Sequence, residues 1–146
     1  MSRWPAGQWL FSRAVCFKAP YFASIRPQFV ELRPGYSVVT MRKRRRVRNH
    51  IGTVHAIAMC NLAEIAAGTV TEVSMPPHFR WIPKGMTVRY LAKAQTDLKA
   101  VAVIDPMPSF ENAEDVPVRV TVTDTSDQVV FSANITMYIS PRRSEP

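Results

Sequence analysis

Cysteine is scarce in this chain. There are two, Cys16 and Cys60, in segments that read as helical, with no CxxC motif and no Cys/His spacing beside them. A disulfide-stapled secreted protein is therefore disfavoured, and a reducing, cytoplasmic setting is expected. Long apolar runs are missing too: none approaches the roughly 18 residues that span a bilayer, so no membrane span is expected. Neither a Gly-rich phosphate loop nor a GxSxG elbow is present. His50 and His78 have no partner at metal-ligand spacing, so neither a metal nor a cofactor is expected.

Acidic residues are thin where basic ones are dense. Residues 1–95 carry 15 Lys/Arg against 3 Asp/Glu, and residues 96–146 carry 4 against 8. A half so basic attracts anions, whether nucleic acid, an anionic membrane or a phosphate-bearing small molecule. The first 26 residues hold no acid but contain Arg3, Arg13, Lys18 and Arg26, a composition like that of a mitochondrial transit peptide. The alternative is a packed amphipathic helix with Trp9, Leu10, Arg13 and Phe17 at i, i+1, i+4 and i+8. Trp4 and Trp9 favour packing over removal.

At 146 residues and 47% hydrophobic composition, the chain suits one domain spanning 1–146. Its N-terminal helix is expected over residues 1–20 and a tail over 141–146. An apolar stretch over 21–31 ends at the turn signal Arg33-Pro34-Gly35, and residues 36–47 read as a strand. Residues 54–71 read as a long Ala-rich helix with Thr53 as its N-cap. Residues 86–94, 100–104, 116–123 and 129–139 are β-like, and Val118, Val120 and Val122 alternate with polar partners. Asp124 to Gln128 makes a polar turn. The order predicts an α+β fold, a sheet of about six strands wrapped around one central helix.

The stretch from Asn49 to Glu64 carries the chemistry. It places a carboxamide before the helix, His55 in its first turn and a carboxylate nine residues on. The first amides of a helix lack internal partners and sit at the positive end of its dipole. Those of Ala56 and Ile57 are thus candidate oxyanion donors. Nine residues turn about 900° and rise about 13.5 Å, so Glu64 faces away from that helix end. If His55 and Glu64 share a site, they come from different chains, which predicts an isologous homodimer. The alternatives are a solvent-facing Glu64, a capping His55 and a turn-forming Asn49.

The spacing Asn, five residues, His, eight residues, acid, followed by strands, resembles the hotdog-fold acyl-CoA thioesterases related to the phenylacetate-pathway enzyme. That resemblance implies an antiparallel hotdog sheet and hydrolysis of an acyl-CoA thioester to free acid and coenzyme A. It implies Glu64 as general base or nucleophile, Asn49 and His55 as the positioning pair, and the Ala56 amide as oxyanion donor. Two departures stand out. The family usually has His-Gly-Gly where this chain has His55-Ala56-Ile57, and its acid is more often Asp than Glu. A side branch of the superfamily is expected. A non-catalytic hotdog module that binds acyl-CoA or nucleic acid is the rival.

The run Arg42-Lys43-Arg44-Arg45-Arg46-Val47-Arg48 is the densest charge cluster. Read as a strand, it aligns Arg42, Arg44, Arg46 and Arg48 on one face, and Arg44, Arg46 and Arg48 are candidate ligands for coenzyme A phosphates. A nucleic-acid patch and a plain solvated strand face are the alternatives, nucleic acid being the less favoured partner. Lys84, in a loop expected before the third strand, is a further candidate substrate contact. The expected assembly is a homodimer, with a pair of dimers as the larger option.

Overall fold

The computed structural model describes residues 5–143. In chain order these form helix α1 (Pro5–Lys18), a 3-10 turn (Pro20–Ser24), strands β1 (Gln28–Arg33) and β2 (Tyr36–Met41), and a second 3-10 turn (Arg45–Val47). Helix α2 (Ala56–Ser74) follows, then strands β3 (Phe79–Tyr90), β4 (Leu98–Val103), β5 (Glu114–Thr123) and β6 (Val129–Pro141). The strands make one antiparallel sheet in the order β1-β2-β4-β5-β6-β3. Wrapped on α2, it is the α+β hotdog layout expected from the sequence, with its extra N-terminal helix. Arg3 and Trp4 in the expected helix, and residues 144–146 of the expected tail, lie outside the described residues.

The core follows from residue size. Leu62, Ala63, Ala66, Ala67 and Val70 of α2 are wholly buried. Small alanines let the helix settle deep against Val118, Val122, Phe131, Met137 and Ile139 of β5 and β6. β5 alternates as the sequence predicts, with Val116, Val118, Val120 and Val122 inside and Pro117, Arg119 and Thr121 outside. α2 is long and apolar enough to cross a membrane, but its apolar residues are spent on the sheet. It stops because Met75 precedes Pro76-Pro77, and a residue before proline is driven to the extended conformation Met75 adopts, φ −85 and ψ 150.

Gly68 fixes how closely α2 meets β3. A Cβ there would lie 2.8 Å from the Trp81 ring. That ring cannot swing freely, because its indole N–H donates to Glu72 at 2.6 Å. Gly68→Ala gains about 1 kcal/mol of helix propensity but overpacks the contact, at a cost of about 1–3 kcal/mol. The expected result is a net loss on the order of 1 kcal/mol, read as a lower urea midpoint at unchanged slope. A raised midpoint would show that Trp81 moves aside without penalty.

The two sheet edges are treated differently. The β1 edge is covered by α1: the Ser12 hydroxyl accepts from the Phe29 amide at 3.0 Å, Gln8 Nε2 donates to the Val30 carbonyl at 2.9 Å, and Phe11 meets Phe29 edge-on at 5.1 Å. Among the described residues, the β3 edge pairs only with β6 and is open along its other side. An open edge twelve residues long is a ready partner for another strand.

Three expectations are corrected. β2 ends at Met41, not Val47, because its partner β4 begins opposite at Leu98 and leaves no ladder for the basic run to join. The arginines therefore do not line one strand face. β3 begins at Phe79, so Lys84 sits inside the strand, at an irregularity between Pro83 and Gly85, and not in a loop before it. On α1, the side bearing Trp9, Leu10 and Phe17 stays exposed, and Phe11, Ser12 and Val15 turn inward. The contact is with a sheet edge, where a buried hydroxyl serves better than a large ring.

Candidate active site

The helix start is built by a closed loop. The Asn49 amide donates to the Thr53 carbonyl at 2.8 Å, while Asn49 Oδ1 accepts from the Ile51 and Thr53 amides, each at 3.1 Å. Asn49 Nδ2 donates to Thr53 Oγ1 at 2.8 Å. Gly52 lets the loop close, at φ +83 where L side chains are strained. Asn49 thus spends its carbonyl and one N–H on this turn, and Thr53, buried and engaged, is not the N-cap. His55 is: its Nδ1 accepts from the Ile57 amide at 3.0 Å. With Nδ1 accepting, the ring's remaining donor is the Nε2–H, on an exposed residue.

This arrangement sorts the two candidate oxyanion donors. The Ile57 amide is occupied by His55, so it is not free for a ligand. The Ala56 amide makes no hydrogen bond among the described residues. It lies at the positive end of a 19-residue helix. The Ile57 side chain is 52% exposed and stands beside it.

Glu64 lies nine residues along, so the axial rise of about 13.5 Å and the half-turn offset hold within one chain. One chain does not bring Asn49 and His55 together with Glu64. The carboxylate is half-buried and makes no hydrogen bond or ion pair among the described residues. It sits in the wall of two clefts. One, of about 240 Å³, is closed by Pro83, Lys84, Gly85, Met86 and Ile135. The other, about 360 Å³ and mainly apolar, runs between α1, α2 and β3 past Val15, Phe22, Ile65, Gly68 and Trp81. The sequence reading missed this second cleft, although Glu64, Gly68 and Glu72 recur at i, i+4 and i+8 and mark one face of α2.

Tyr90, at the far end of β3, meets Cys60 of α2 with 3.5 Å between its hydroxyl and the sulfur. That contact, then burial, then the Cys60 charge raise the phenol's pKa.

The basic candidates divide. Arg44 is partly buried and donates through Nη2 to the Ser24 carbonyl at 3.2 Å. Its Nε is buried without a partner among the described residues. Burial first, then the charges of Arg26 and Arg46, pull its pKa below the usual guanidinium value. Arg46 and Arg48 are exposed, and Arg48 bridges to Val54 through its backbone. Lys84 pairs with Asp115 at 3.0 Å, an exposed pair of little energetic weight. Its segment still closes the smaller cleft beside Glu64.

The family described as "Domain of unknown function (DUF4442)" matches residues 7–139. No curated protein matches the sequence. A crystal structure carrying only a genomics label is 56% identical, with 90% of this chain and 88% of that one covered and a TM-score of 0.83. A Pseudomonas aeruginosa protein, described as of unknown function and a probable thioesterase, is 23% identical over 97% of this chain and all of that one, at TM-score 0.83. A Haemophilus influenzae thioesterase is 11% identical over 83% of this chain and 82% of that one, at TM-score 0.74. The last two likenesses establish the fold.

Proposed function

The chain belongs to the DUF4442 family and folds as a hotdog, and on that footing we propose that it hydrolyses an acyl-CoA thioester to the free acid and coenzyme A. The observation that carries this reading is Glu64, half-buried, unpaired among the described residues and set in the wall of an apolar cleft, on a fold shared with proteins described as thioesterases. Glu64 takes a proton from water as the water oxygen attacks the thioester carbon. The Ala56 amide holds the oxyanion, and the His55 Nε2–H orients the carbonyl. Collapse of the tetrahedral species expels the coenzyme A thiolate, which takes up a proton. Thiolate leaves readily, so no Ser or Cys nucleophile is required.

The reaction needs Glu64 and His55 at one site, so the working unit is a homodimer with Glu64 of one chain facing His55 and Asn49 of the other. The open β3 edge, with Ile82, Met86 and Tyr90 exposed along it, supports this assembly. Asn49 acts chiefly by fixing the loop that delivers His55. A cytoplasmic setting fits the two free thiols.

A panel of acyl-CoA thioesters, with released thiol measured, tests the activity. We expect turnover to favour apolar acyl groups, which match the larger cleft. Tight binding of acyl-CoA without release of thiol would favour the non-catalytic module, a reading suggested by the exposed Ile57 where the resembled family has glycine.

A further inference from the structure

Where α1, the first 3-10 turn, the start of β1 and the basic run meet, a cleft of about 500 Å³ is lined by Trp9, Ser12, Arg13, Cys16, Arg26 and Arg46 among others. Among the described residues, no acidic side chain lines it. The ion pairs among the described residues are Arg33–Glu31 and Lys84–Asp115, so none of these three arginines is paired within that set. Gathering like charges works against folding. Arg26 is also held at φ +45, a left-handed conformation a non-glycine residue adopts at a cost. Trp9 is 55% exposed, and the Arg13 guanidinium lies 5.8 Å from the centre of its ring.

We infer that this cleft seats the nucleotide end of coenzyme A, with Arg13, Arg26 and Arg46 holding its phosphates and Trp9 offering a face to the adenine. The inference rests on the acyl-CoA reading above. Three convergent guanidinium groups suit a ligand with phosphates on both sides of a ribose, since each forms charge-assisted bonds to phosphate oxygens. The cleft connects to the helix start: Arg46 precedes Val47, whose carbonyl accepts the His55 amide at 2.7 Å. The wall of the phosphate seat is thus tied through the backbone to the residue that caps α2. A bounded cleft of small-ligand size favours a nucleotide over a nucleic-acid strand, which would call for a continuous basic stripe.

The test titrates 3′,5′-ADP, the free nucleotide end, into wild type and an Arg13→Gln/Arg46→Gln double variant, following tryptophan fluorescence. Both side chains are exposed, so folding should be spared. Should the double variant fail to fold, Arg13→Gln alone carries the same prediction at smaller size. Losing two phosphate contacts should weaken binding by about tenfold or more. The KM for acyl-CoA should rise in step, and that rise should vanish with an acyl-pantetheine thioester, which lacks the nucleotide. Equal 3′,5′-ADP affinity in both proteins would overturn the site, as would a KM that rises alike for both thioesters. Binding of random-sequence DNA with a steep salt slope, and none of 3′,5′-ADP, would also overturn it. If 3′,5′-ADP binds through Arg13 and Arg46 while neither thioester is turned over, the hydrolase reading fails and the nucleotide seat stands.

Discussion

Glu64→Gln should lower kcat for acyl-CoA hydrolysis by about 10²- to 10⁴-fold, the usual contribution of a positioned general base. The change keeps the side chain's size and removes its capacity to take a proton. Nothing in the fold depends on the charge, because the carboxylate makes no ion pair or hydrogen bond among the described residues. Thermal stability should therefore stay within about 0.5 kcal/mol of wild type, as for substitutions away from buried networks. Substrate affinity, measured on the inactive variant with intact acyl-CoA, should change little. Loss confined to kcat, with folding and binding kept, separates a base from a structural acid. Full turnover in Glu64→Gln would remove Glu64 from the chemistry and leave the binding module as the better account.

How much of this was legible in the sequence differs by element. α2 was, because a long Ala-rich apolar run has few other readings, although it spans Ala56–Ser74 and not 54–71, and β5 was, because its valines keep a period of two. The end of β2 was not. Arg42 to Arg48 hold no residue that breaks a strand, but whether a strand continues depends on a ladder partner supplied about fifty residues later by β4. The N-cap was misplaced for a similar reason. Thr53 and His55 are both competent, and the choice was made by the Asn49 carboxamide, which engages Thr53 and leaves His55 to meet the helix. The face of α1 depends on Phe29, whose amide needs an acceptor, so Ser12 goes inside and Trp9 stays out. The candidate site was legible as spacing and not as surroundings: the helical offset of Glu64 from His55 could be computed, whereas the apolar cleft appears only once Phe22 and Trp81 converge on Gly68.

Mixing two inactive proteins should restore activity, and this result bears on assembly and chemistry together. His55→Asn is the useful partner for Glu64→Gln, because asparagine is itself a strong N-cap. It keeps a side-chain acceptor for the helix start while removing the imidazole donor, so α2 should form as before. Each variant alone should be nearly dead. In a mixed dimer the two sites are unlike: one receives both substitutions, the other the native Glu64 and His55. A mixed dimer should therefore run at about half the wild-type rate, and a random equimolar mixture at about a quarter, since half its dimers are mixed. Subunits must exchange, so the two chains are best co-expressed with different tags and the mixed species isolated. Were Glu64 and His55 partners within one chain, every chain in the mixture would carry a defect and the mixed dimer would stay inactive. The axial separation of about 13.5 Å argues against that, because neither side chain spans it along a rigid helix. Recovery of about half the rate in the isolated mixed dimer would establish that each site is shared between two chains.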